Sequence, residues 1–185
     1  MRYIITLLIL LSFAASSSES KKIIFTESSV GNMKITKGME ISLYKVSNNF
    51  PFHKVTQSIG QGDSPDFHIF TVSTHENEEL ISFISYINED QQYEKGIVKL
   101  DEVVTCSNQI IDEFGISPKM HISRAITARD SLDFGAGHMD NYLGKGNLWY
   151  LFSVDKMHGT VVSKSMALKS NPRIDCISWP HVRWR

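Results

Sequence analysis

The chain has 185 residues, with 19 basic against 20 acidic side chains and a formal net charge of −1. A balance this even excludes a general attraction to nucleic acid or to a membrane, leaving only local patches to provide one. At the start, Arg2 precedes an apolar run over residues 3 to 15, broken only by Thr6 and Ser12; Ala14, Ala15, Ser16, Ser17 and Ser18 bring it to small residues. A cation, a short apolar core and small residues, in that order, make an export signal. The run falls short of the roughly 20 apolar residues that cross a bilayer. Cleavage after Ala14, Ser16 or Ser17 is compatible with this pattern, and the mature chain is expected to begin between Ala15 and Glu19. Taking residues 1–16 as the signal leaves 17–185 as one secreted domain, roughly 168 residues, enough for one core and short of two domains. No later stretch is apolar enough to span a bilayer, so no transmembrane segment is expected after cleavage.

Short β-type runs split by turn residues follow. Lys22–Thr26 is the first expected strand. Met39–Val46 alternates, with Met39, Ile41 and Leu43 on one face and Glu40 and Ser42 on the other, the pattern of a half-buried strand. Phe67–Ser73 is another, entered through the turn cluster at residues 60–66. Residues 80–87 carry a helix-compatible stripe at Leu80, Phe83, Ile84 and Ile87, but β-branched and aromatic side chains favour a strand. Residues 96–105 read as a strand running into Cys106. Ser107 is placed to cap a short helix that buries Ile110, Ile111 and Phe114 and ends at Gly115. Residues 119–127 return to β character, and residues 128–146, with four glycines, read as a long loop. Asn147–Val154 is apolar on both faces and reads as a central strand, followed by a turn at 155–159 and a returning strand over 160–168. The sum is an all-β chain: an antiparallel β-sandwich with at most one or two short helices, or alternatively a small β-barrel. The expected core includes Met39, Ile41, Leu43, Leu148, Tyr150 and Phe152.

Cys106 and Cys176 both lie beyond the signal. An even cysteine count in an oxidising compartment predicts one disulfide, tying the tail to the middle of the domain. Closing that loop of about 70 residues restricts the unfolded chain by roughly 4 kcal/mol in the entropy account. The chain beyond the signal carries no Asn-x-Ser/Thr sequon, so N-glycosylation is not expected.

Four segments resemble the transthyretin-like proteins secreted by nematodes. Met39-Glu-Ile-Ser-Leu-Tyr-Lys45 is similar to that family's alternating strand. Gly62-Asp-Ser-Pro-Asp-Phe-His-Ile69 is similar to its turn into an aromatic strand. Val98-Lys-Leu100 leads toward a mid-chain cysteine, and Arg173-Ile-Asp-Cys176 resembles the C-terminal Arg-Asp-Cys signature. The chain departs from the family in having no early cysteine, in replacing an Asp-Gly turn by Asp63-Ser-Pro-Asp66, and in carrying extra residues over 74–97 and 128–158. The resemblance implies a secreted β-sandwich on the transthyretin plan and supplies no catalytic residues.

The seven histidines, at 53, 68, 75, 121, 138, 158 and 181, lack metal-ligand spacing, so no metal site and no cofactor is assigned. The Gly135-Ala-Gly-His-Met-Asp140 stretch lacks the strand–glycine–helix setting of a phosphate loop. It reads instead as a surface loop offering His138, Asp140 and Tyr142 to a partner. The tail interleaves Trp179, Arg183, Trp184 and Arg185, a pattern suited either to an anionic surface or to a packed last strand. These seven residues form the candidate binding surface. No Gly-x-Ser-x-Gly elbow and no His-Glu-x-x-His motif occurs, and no catalytic residue is assigned. The expected function is that of a secreted extracellular binding or interaction protein, its partner an extracellular protein or an anionic surface and not nucleic acid. The alternatives are a secreted hydrolase with a dispersed Ser/His/Asp site and a lipocalin-like carrier.

Overall fold

The computed structural model describes residues 22–61, 66–87, 96–136, 141–154 and 163–180. In chain order the elements begin with β1 (Ile23–Phe25), β2 (Ser29–Val30), β3 (Met33–Lys34), β4 (Glu40–Ser42), α1 (Leu43–Asn49), β5 (Lys54–Gly60), β6 (Phe67–Ser73) and β7 (Glu79–Tyr86). They continue with β8 (Ile97–Lys99), β9 (Glu102–Thr105), β10 (Ile110–Asp112), α2 (Ile122–Ala128), β11 (Asp133–Ala136), β12 (Asn141–Lys145), β13 (Leu148–Phe152), α3 (Lys164–Ser170) and β14 (Cys176–Trp179).

An eight-stranded antiparallel sheet runs β11-β12-β13-β14-β9-β7-β6-β5. A four-stranded sheet, β10-β1-β2-β3, pairs β1 parallel with β10, and β4 pairs with β8. Phe25, Val30 and Ile110 of the smaller sheet share one buried cluster with Phe70, Phe83, Val103, Tyr150, Phe152 and Ile177 of the larger. The fold is therefore all-β and sandwich-like. The larger sheet is open, with β11 and β5 at its edges, so the barrel alternative does not hold. Among the described residues there are three short helices, more than the one or two expected.

The strands read from periodicity are present at β1, β6, β7 and β13, and β13 is an interior strand paired on both sides. The run over 96–105 divides at Leu100–Asp101. Leu100 donates its amide to Met39 O and Asp101 to Ile84 O, so β8 and β9 belong to different sheets.

Several expectations are corrected. The Met39–Val46 alternation stops at Ser42, whose hydroxyl accepts from Lys45 N and caps α1. Val46 becomes the buried residue of that helix, and Leu43 is 40% exposed, not core. Ile41, Leu148, Tyr150 and Phe152 are fully buried, and Met39 packs, partly buried, against the core cluster. The helix expected after Ser107 is instead strand β10, because Ile110–Asp112 finds a partner in β1. Residues 122–128 are helical despite their β-type composition. Their orphan N-terminal amides are satisfied from elsewhere, Ile122 N by Pro172 O and Ser123 N by Asn171 Oδ1. Lys164–Ser170 is a helix capped by Ser163 and closed by left-handed Asn171, not a returning strand. The turn expected at 155–159 lies outside the described residues.

The stretch expected to be a glycine-rich loop contains β11 and β12. Its glycines make room for rings. Gly135 lies opposite Tyr142, and a Cβ there would collide with the Tyr142 ring; Gly144 lies opposite Trp149, and a Cβ would meet Trp149 Cδ2 at 2.6 Å. An aromatic ring covering a cross-strand glycine stabilises a sheet where the glycine alone would weaken it.

Candidate functional site

Of the seven residues expected to form a binding surface, two, Tyr142 and Trp179, lie among the described residues. Tyr142 is half-buried on β12, its ring edge-on to Trp149 at 5.5 Å. Trp179 is 2% exposed on β14, and its indole N–H donates to Glu27 O at 2.7 Å, so it is a packed strand residue and not a surface anchor. His138, Asp140, Arg183, Trp184 and Arg185 lie outside the described residues. Cys106 and Cys176 are bonded, joining the end of β9 to the start of β14.

A buried polar constellation around Arg129 was not legible in the sequence. Arg129, 6% exposed at the end of α2, donates to Leu148 O at 3.3 Å, Lys145 O at 2.9 Å and the Tyr150 hydroxyl at 3.1 Å. It also pairs with Glu27 Oε1 at 3.4 Å and lies 4.1 Å from the centre of the Phe114 ring. The Tyr150 hydroxyl donates to Asp112 Oδ2, and Asp112 Oδ1 accepts from Phe114 N and Ile116 N. Burial pushes the Asp112 carboxyl above the usual carboxylate range, against the pull of Tyr150, the two amides and Arg129. Burial and the neighbouring Asp112 push the Tyr150 hydroxyl up, which keeps it a neutral donor. The node links β10 of the small sheet to β13 of the large one. The signals that mark it, a charge at the end of a helix and a tyrosine in an apolar strand, are each commonplace alone.

A second buried acid, Glu102, accepts from the Tyr86 hydroxyl at 2.8 Å. Burial raises its carboxyl above the usual range, and the Tyr86 hydroxyl is raised by burial and by Glu102.

The open concavity of interest lies where the loops before β1, β5, β7 and β10 converge. Lys22, Ile23, Phe52, His53, Thr74, His75, Leu80 and Gln109 line a cleft of about 150 Å³. Its rim is held in place. Thr74 N donates to Glu78 O, Glu78 N to Thr74 Oγ1, Gln109 Nε2 to Glu78 Oε2 at 2.7 Å, and Lys54 Nζ to Asn77 Oδ1 at 2.7 Å. Asn77 takes the left-handed φ of 67° that closes this turn. His53 stands edge-on to Phe50 at 6.2 Å. Its Nδ1 is buried without a hydrogen-bond partner. Burial, and after it the neighbouring His75, hold the His53 imidazole below its ordinary pKa. The two histidines are 22 positions apart, a spacing that carries no signal in sequence. Among the described residues no group of three or more His, Cys, Asp or Glu is placed to hold a metal ion, and no helix is long and apolar enough to cross a membrane.

The sequence matches no family model and no curated protein. In architecture the chain is similar to the uncharacterized protein yfeY from Escherichia coli, with a TM-score of 0.58 over 87% of this chain and 100% of that one. Sequence identity there is 13%, a level at which the likeness concerns the fold alone.

Proposed function

We propose that the chain is a secreted extracellular binding protein, not a catalyst, and that its ligand contacts begin at the His53–His75 cleft. The contrast between its two polar sites carries this reading. In the Asp112–Tyr150–Arg129–Glu27 node the charged groups are engaged with one another and with backbone, 3.4 Å or less apart, which suits them to hold the sheets together. At the cleft, His53 lines an open, mostly apolar concavity, and its buried Nδ1 has no protein partner. Buried polar atoms are nearly always hydrogen-bonded, so an unpaired one on a residue that lines a concavity supports a binding role for that concavity. Export is supported by the signal-type order of residues 1–18 and by the Cys106–Cys176 bond, which persists best in an oxidising compartment. The resemblance of Arg173–Cys176 and the other quoted segments to the transthyretin-like proteins belongs to the same proposal.

The test uses the full chain produced in an exporting cell. N-terminal sequencing of protein from the medium should start between Ala15 and Glu19; a membrane-bound form retaining Met1 would overturn export. Ligand-observed NMR with single-ring fragments should find binders that are lost in Gln109→Trp, which fills the cleft from its rim. Fragments that are hydrolysed, or bound equally by the variant, would overturn the binding reading.

A further inference from the structure

The cleft's lining narrows the chemistry of what it takes. Lys22, His53 and His75 are its ionisable groups, and no carboxylate lines it among the described residues. On the rim, Glu78 is engaged by Gln109 Nε2, and the Lys54 ammonium is engaged by Asn77. Ile23, Phe52 and Leu80 supply apolar walls, with Leu80 2% exposed and Phe52 81% exposed. The volume of about 150 Å³ is that of a single ring, since an apolar cavity of about this size binds benzene.

We propose that the cleft binds a small planar carboxylate, its ring against Ile23, Phe52 and Leu80 and its anionic end toward His53, His75 and Lys22. This rests on the reading of the cleft as the ligand site and adds to it the class of ligand. Two further consequences follow from the placement of the imidazoles. When protonated, His53 puts a positive charge on the cleft wall and so attracts a carboxylate. With no ligand, burial and the adjacent His75 disfavour that protonation. An anion removes the penalty, so binding takes up a proton and tightens as pH falls through the histidine range.

Benzoate is the probe and benzamide its neutral isostere, titrated into the full exported chain at about pH 5.5 and about pH 7.5, with the histidine ring signals followed by NMR. Benzoate is ionised at both. It should shift the His53 and His75 signals and bind about tenfold more tightly at the lower pH, the limit for one proton being tenfold per pH unit. His75→Gln, at an exposed position, should flatten that dependence without disturbing the fold, and His53→Gln should do the same. Benzamide binding in the cleft as tightly as benzoate at both pH values would sink the anion inference and leave the binding reading standing. If neither compound moves the two histidine signals, both fail.

Discussion

Arg129 shows how one side chain joins elements that are far apart in sequence. Its guanidinium spans Lys145, Leu148, Tyr150 and Glu27, and only a planar fork with five donors serves so many acceptors. Glu27 is 42% exposed, so water screens that ion pair and its own contribution is small. The larger effect is on what removal leaves behind: two carbonyls and a buried hydroxyl–carboxylate pair without their cation. Arg129→Met should therefore lower unfolding stability by about 3–5 kcal/mol, read from the urea midpoint at unchanged slope. A loss under about 1 kcal/mol would show that solvent replaces the guanidinium.

At the scale of elements, the segment around Ser42 separates two periodicities. The alternation of Met39, Ile41 and Leu43 is strand-like, but the Ser42 hydroxyl starts a helix at the next residue. Asn49 Nδ2, bonding Lys45 O, and Pro51, which disfavours helix in the residue before it, finish it within two turns. The consequence is measurable at neighbouring positions. Ile41→Ala removes a fully buried side chain and should cost about 2–5 kcal/mol. Leu43→Ala, at a position 40% exposed, should cost less than about 1 kcal/mol in the same denaturation assay. Equal losses would place Leu43 back in the core. The helix α2 makes the complementary point: its β-branched residues suit a strand, yet Asn171, 48 positions away, supplies its cap.

For the whole molecule, the decisive seam is β9 against β14. It joins β11–β14, built from residues 133–179, to the strands β5, β6, β7 and β9 that precede them in sequence. The Cys106–Cys176 bond staples this seam across 70 positions, and Trp179 ties it to the small sheet through Glu27. Replacing both cysteines with alanine should cost about 4 kcal/mol in the chain-entropy account, seen as a lower denaturation midpoint. No change in the midpoint would mean that the β9–β14 ladder closes the seam unaided.

What the sequence by itself determined is what repeats within a few residues or follows from residue type. The strands β6, β7 and β13, the burial of Ile41, Leu148, Tyr150 and Phe152, and the pairing of the two cysteines were legible because apolar runs, β-type residues and even cysteine counts are local or compositional signals. Only the tertiary structure decided the rest. Gly135 and Gly144 became strand residues because Tyr142 and Trp149 cover them from the opposite strand. Trp179 became core because β14 found a place between β13 and β9. Arg129 met Glu27 across 102 positions, and His53 met His75 where two loops converge. Each of these depends on a partner brought close by folding, and the free energy of such a contact leaves no periodic trace along the chain.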